Sequence, residues 1–249
     1  DNPKHVKKNI NLISKKINFE DIKYMALTRD EVKIKLKDMH EKLILSGGNF
    51  NKEMPEQIMS AMYLKGHEKV LELGGNIGRN SLIIASLLND SSNLVTLESD
   101  EHIAKRLNKN RKINNLNFHV ESSALSSKKL IQKGWYTRPS ETLQPGYHWI
   151  NTISYEELKQ KYSIDFDTLV LDCEGAIYWI LKDTPEILDN VNLIIIENDF
   201  QQKHHKQYFD ETLKNNNFYV DYTEAGPKRA LHGSCFYQVW KKAISPSNG

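Results

Sequence analysis

The stretch Val70-Leu71-Glu72-Leu73-Gly74-Gly75-Asn76-Ile77-Gly78 decides the fold. A short apolar run carries one acid, turns through three glycines and leads into an amphipathic stretch at 80–88. Strand, tight turn and helix in that order open a βαβ unit. Glycines at the turn let the backbone bend sharply and let a ligand come close. Position 76 is Asn and position 79 is Arg, so the run departs from the G-x-G-x-x-G pattern of dinucleotide sites.

Outward from this stretch the alternation continues. Strands are expected near 94–98, 118–120, 168–172, 193–197, 218–222 and 235–240, with helices at 101–114, 154–161, 176–182 and 204–215. Ser154 and Glu157 form a capping box for the second of these helices. Strands alternating with helices predict a doubly wound α/β fold with a mainly parallel sheet. The last two strands, joined without a clear helix, are expected to pair antiparallel at one edge. Before the sheet, Thr28 and Glu31 predict a capped helix running to about Ser46 and stopped by Gly47-Gly48. A second helix is expected from Pro55 to about Gly66. The chain is thus read as a basic and helical extension over 1–66, one α/β domain over 67–243 and a short tail over 244–249. Lys4, Lys7, Lys8, Lys15, Lys16 and Lys23 make the first part of the extension basic, which is read as a solvated arm.

Bulk properties bound the function. A length of 249 residues suits one large domain. A net charge of +2 gives no broad footprint for nucleic acid, and no apolar run is long enough to span a membrane. Cys173 and Cys235 lie in apolar runs, so a reducing, cytoplasmic setting is expected. The chain starts at Asp1 rather than Met, which is read as trimming or as one domain of a longer polypeptide.

Ligands of open α/β sheets bind beyond the carboxyl ends of the strands. There the sequence places Glu72, Gly74, Asn76 and Gly78, then Glu98, then Asp172-Cys173-Glu174, then Glu197-Asn198-Asp199. Glu98, about 20 residues past the glycines, suits the two hydroxyls of a ribose. Acids at successive strand ends complement a cationic ligand and repel a pyrophosphate. Glu-Leu-Gly-Gly-Asn-Ile-Gly at 72–78, Leu-Asp-Cys-Glu-Gly-Ala at 171–176 and the strand ending in Glu197 resemble the FkbM-type methyltransferases, which use S-adenosylmethionine (SAM). Thr152-Ile153-Ser154-Tyr155-Glu156-Glu157-Leu158 also fits that family's spacing, and the resemblance covers roughly residues 68–200.

The resemblance implies a Rossmann-like, seven-stranded methyltransferase sheet and O-methylation of a sugar or related small molecule. It implies SAM near Glu72, Gly74, Asn76, Gly78, Glu98 and Asp172, with adenine near Ser122 to Ala124 and Ser123 among the binding residues. Asp172 and Glu174 are the expected base or orienting groups, with His232 as a further candidate. Asp172, Glu197 and Asn198 offer oxygen ligands for Mg²⁺ or Mn²⁺. A loop at 134–150 concentrates Trp135, Tyr136, Arg138, Tyr147, His148 and Trp149, a composition suited equally to a glycan and to packing of the loop onto the body. With Glu224, Lys228, Arg229 and His232 it is the expected acceptor site. Two rival readings are an RNA ribose 2'-O-methyltransferase, disfavoured by the weak charge and the acids at 197–199, and a binding module without catalysis.

Overall fold

A computed structural model of the chain describes residues 28–228 and 230–243. The lysines at 4–23, Arg229 and the tail 244–249 lie outside the described residues. Two helices, α1 (Arg29–Lys42) and α2 (Met54–Tyr63), lead into β1 (Val70–Leu73) and α3 (Arg79–Leu87). Next come β2 (Leu94–Leu97), α4 (Glu101–Ile113) and β3 (His119–Glu121). An insert follows, made of β4 (Ala124–Leu125), β5 (Leu130–Lys133), β6 (Tyr136–Pro139), β7 (His148–Ile150) and β8 (Thr152–Ile153). The chain then runs through α5 (Tyr155–Tyr162), β9 (Thr168–Leu171), α6 (Ile177–Asp183), β10 (Leu193–Glu197), α7 (Lys203–Asn215), β11 (Phe218–Glu224) and β12 (Tyr237–Lys242).

Seven strands form the central sheet in the order β3-β2-β1-β9-β10-β12-β11. Neighbours are parallel from β3 to β10, and β12 runs antiparallel between β10 and β11. This is the expected Rossmann-like, doubly wound α/β fold. The chain works outward from β1 to β3, then returns to start the other half at β9. The switch point therefore lies between β1 and β9, and a cleft opens there.

The strands read as continuous apolar runs because both faces are covered. Leu71, Val95, Leu169 and Ile194 share one face, packed with Leu158 of α5, Leu181 of α6 and Phe209 of α7. Val70, Leu94, Val170 and Ile195 share the other, packed with Met59 of α2, Leu82 of α3 and Leu107 of α4. Register puts Leu71 opposite both Val95 and Leu169, so the alternation is kept from strand to strand. Outside α2 and α3, α1 adds a further layer through Val32 and Leu36. Its N-terminus carries the expected box, Thr28 Oγ accepting from Glu31 N and the Glu31 carboxylate accepting from Thr28 N. The helix ends at Lys42, earlier than Ser46, because Leu43 is already extended.

The 134–150 segment departs from the expected loop. β6 and β7 flank β5 in a three-stranded antiparallel sheet, and Gly134 with φ +58° makes the tight turn between β5 and β6. Polar residues on both faces hid this pairing from a period-2 reading.

Two close approaches fix the switch point. Gly74 has φ +94°, and a Cβ there would fall 1.6 Å from the Asp172 carbonyl oxygen. Asp172 N also donates to Leu73 O at 3.0 Å, so the ends of β1 and β9 are locked backbone to backbone. Gly74→Ala is expected to cost more than about 3 kcal/mol, combining strained φ with backbone overlap. Urea denaturation of the variant measures this, and a loss below about 1 kcal/mol contradicts the close approach.

Candidate active site

A cleft of about 440 Å³ lies over the carboxyl ends of β1, β2, β9 and β10, within the size range of small-molecule sites. On one side it is walled by the glycine turn, on another by β5 and β6 of the insert. Among the described residues, seven Asp or Glu line it, with Arg138 as the single Lys or Arg.

Asn76 sits in the turn with φ +45° and directs its N–H to Glu98 Oε2 at 2.9 Å. Asp100 N donates to Glu98 Oε1 at 2.8 Å. The Glu98 carboxylate is thereby aimed by two backbone donors at the end of β2. Burial raises its pKa, and these N–H donors act in the opposite direction. Each oxygen keeps lone-pair capacity for a ligand hydroxyl. Ser123 lines the cleft nearby, buried, with its Oγ donating to Glu121 Oε1 at 3.4 Å.

Glu72 and Gly78 stand behind this wall and are not among the lining residues. Glu72 is buried and accepts from Ser81 Oγ. Burial pushes its pKa up to about 7, against the hydrogen bonds from Ser81 and Thr96. It borders a small void of about 10 Å³ that Asp172, Glu56 and Glu197 also border.

Beyond β9 the chain turns through Glu174 (φ +53°) and Gly175 (φ +77°). A left-handed conformation at a glutamate is uncommon and turns up at functional sites. Gly175 N donates to Asp199 Oδ1 at 2.8 Å, which ties this turn to the end of β10. Asp172, Cys173 and Glu174 all line the cleft. Burial raises the pKa of Asp172 well above the usual range, and the charges of Glu197 and Asp199 add to it. Burial also raises Glu174.

The segment before residue 67 contributes two acids that sequence reasoning missed. Glu53 precedes α2 in a left-handed conformation, pairs with Arg79 Nη1 at 2.6 Å and accepts from Asn76 Nδ2 at 3.2 Å. Glu56, in the first turn of α2, is buried and lines the cleft. One carboxyl oxygen each from Glu56, Asp172 and Glu197 lie within 4.8 Å of one another. Burial pushes Glu56 up to about 7, against a hydrogen bond with Glu197, and burial together with that hydrogen bond and the charge of Glu56 pushes Glu197 up to about 9. In a linear sequence, an acid just before a helix or in its first turn reads as a partner of the helix dipole, which is why these two passed unnoticed.

Asn198 and His232 fall elsewhere. Asn198 is buried, and its amide N–H groups go to Cys235 O at 2.7 Å and Gln238 Oε1 at 2.9 Å. His232 packs edge-on against Phe200, and neither residue 198 nor 232 lines the cleft. From the insert, Trp135, Thr137 and Arg138 do line it, and Trp135 is 54% exposed. Tyr147 lies under Arg138, 5.3 Å from the guanidinium. Cys173 and Cys235 are free thiols, and no helix among the described residues is long and apolar enough to cross a membrane.

No protein-family model matches the chain, and no curated protein does. Solved structures similar to it include a ribosomal protein L11 methylase from Lactobacillus delbrueckii subsp. bulgaricus, at 10% identity over 79% of this chain and 81% of that one, with a TM-score of 0.47. An O-methyltransferase from Bacillus cereus in complex with SAH is similar at 14% identity over 85% and 87%, TM-score 0.43. An rRNA methylase from Streptococcus thermophilus is similar at 11% over 77% and 95%, TM-score 0.45. Likeness at this distance leaves activity to be argued from the cleft itself.

Glu72 gives the wall a pH signature. Its folded pKa stands near 7 against an ordinary 4.5, so the unfolded chain ionises first as pH rises. The resulting penalty on folding grows between pH 4.5 and about 7 and is constant above. Glu72→Gln is expected to match the wild type near pH 4.5 and to exceed it above pH 7, by up to roughly 3 kcal/mol. Thermal or urea denaturation at several pH values checks this, and a difference that does not vary with pH contradicts it.

Proposed function

We propose that the chain is a SAM-dependent O-methyltransferase acting on a hydroxyl of a sugar or glycan. One observation carries the reading most: Glu98, buried at the end of β2 and aimed by Asn76 N and Asp100 N, stands in an acid-lined cleft at the switch point. A carboxylate so placed suits a ribose diol. The remaining acids favour a ligand with a sulfonium and an ammonium, and oppose pyrophosphate.

Bound SAM supplies an electrophilic methyl group for in-line transfer to a nucleophilic oxygen. The chain's own task is to orient the acceptor and take its proton. Asp172 and Glu174 line the cleft and have pKa values raised by burial, which makes either a stronger base than an exposed carboxylate. Trp135 offers an exposed aromatic face, and Thr137 and Arg138 offer donors, a combination that suits a sugar ring. The acidic lining opposes an RNA phosphate backbone, which argues against the ribose 2'-O alternative.

Transfer of labelled methyl from SAM to a panel of sugars, glycans and RNA tests the reading. Label is expected on a sugar or glycan; label on RNA alone, or binding of SAM without transfer to any acceptor, contradicts it. Glu98→Ala should weaken SAM binding by roughly 1.5–3 kcal/mol, the scale for hydrogen bonds to a charged group. Unchanged affinity by calorimetry removes Glu98 from the ribose. Replacing Trp135 and Tyr136 with Ala should raise the acceptor KM severalfold while SAM affinity stays nearly constant. Equal loss of both would assign these aromatics to packing of the insert instead.

A further inference from the structure

We propose that Glu56, Asp172 and Glu197 together bind a divalent cation of the hard, oxygen-seeking class, Mg²⁺ or Mn²⁺. The three carboxyl oxygens lie within 4.8 Å of one another. Oxygens sharing one Mg²⁺ at roughly 2.0–2.1 Å stand at most about 4.2 Å apart, so carboxyl oxygens within 4.8 Å of one another need only a small side-chain rotation to close on one such ion. Asp172 and Glu197 are partly exposed to the cleft, leaving room for water or a substrate oxygen in the remaining positions.

A second observation points to the same ligand. Glu56 is only 5% exposed, and its Oε2 is buried with no hydrogen-bond donor. A buried carboxylate oxygen left without a donor is costly. None of the three acids takes part in an ion pair among the described residues. Arg79, on the glycine-turn side, is committed to Glu53 and to Asn49 O. Buried acids of like charge are neutralised either by holding protons or by a cation.

The cluster is also held in place. Gln57, next to Glu56, donates to Phe50 O at 2.9 Å and Lys52 O at 3.0 Å, which fixes the first turn of α2. Asp172 is locked to β1 through Leu73 O, and Glu197 ends a strand paired on both sides. Ligands on rigid elements need little ordering when an ion binds. The helix before the sheet thus supplies the third ligand; Asn198 lies outside the cleft lining, its amide N–H groups held by Cys235 O and Gln238 Oε1 and its Oδ1 buried without a hydrogen-bond partner. An all-oxygen donor set favours Mg²⁺ or Mn²⁺ over softer metals. Cation binding stands independently of the methyltransferase reading. The ion's role, lowering the pKa of an acceptor hydroxyl, rests on that reading.

Mn²⁺ is the probe. The full chain is stripped with EDTA and titrated with Mn²⁺ at neutral pH, following free Mn²⁺ by electron paramagnetic resonance. One Mn²⁺ per chain is expected, displaced by excess Mg²⁺. Glu56→Gln should weaken it more than about tenfold, while Asp183→Asn, a cleft acid outside the cluster, should leave it unchanged. Melting temperature gives a second readout. Mn²⁺ should raise that of the wild type and leave that of Glu56→Gln where it is. Without metal, Glu56→Gln should melt no lower than the wild type, because it replaces a buried carboxyl crowded by two others with a neutral group of the same shape. Failure to bind Mn²⁺ at millimolar concentration, or equal binding by Glu56→Gln, overturns the site. Titration with S-adenosylhomocysteine in parallel separates the two claims: Mn²⁺ bound without it upholds the cation site and removes the methyltransferase reading.

Discussion

Like charge gathered in a low-dielectric cleft is the constraint on which the rest of the structure depends. Glu56, Asp172 and Glu197 come within 4.8 Å of one another, with Glu53 and Glu174 also lining the cleft. Such a cluster persists only if its backbone is over-determined and its charge is neutralised. The backbone condition is met at the switch point. Gly74 approaches the Asp172 carbonyl closer than any side chain would allow, and Gly175 N is bound by Asp199. The charge condition is met by proton retention, by a cationic ligand or by a metal ion, and each of these has a place in the chemistry proposed.

The same constraint explains the role of the helices before the sheet. Residues 28–66 are more than a cap on the fold. Glu53 joins the glycine turn to Arg79, and α2 brings Glu56 to the ends of β9 and β10. The Asn76–Glu98 side and the acid-cluster side of the cleft are therefore coupled through one short helix. Movement of α2 would change the acid cluster and the Asn76–Glu98 contact together.

The sheet was readable in the sequence because its strands are buried on both faces and end in glycines or acids. Val70–Leu73, Leu94–Leu97, Thr168–Leu171 and Leu193–Glu197 are short apolar runs separated by helical spacing, and local pattern suffices to find them. The boxes at Thr28/Glu31 and Ser154/Glu157 are equally local. The insert was not readable, since β5, β6 and β7 pair through contacts that polar residues do not advertise. Glu53 and Glu56 escaped for another reason: their partners lie some 20 to 140 residues away, at Asn76, Asp172 and Glu197. The direction of the Asn198 amide is set by Cys235 and Gln238 on a returning strand, which no local motif encodes.

On the function proposed, the acid-lined switch point selects a cationic adenosyl ligand over a dinucleotide. Calorimetry of the intact chain with SAM and, separately, with NAD⁺ tests it most directly. One SAM is expected to bind per chain, with no detectable heat from NAD⁺. Binding of NAD⁺ with SAM excluded would contradict it.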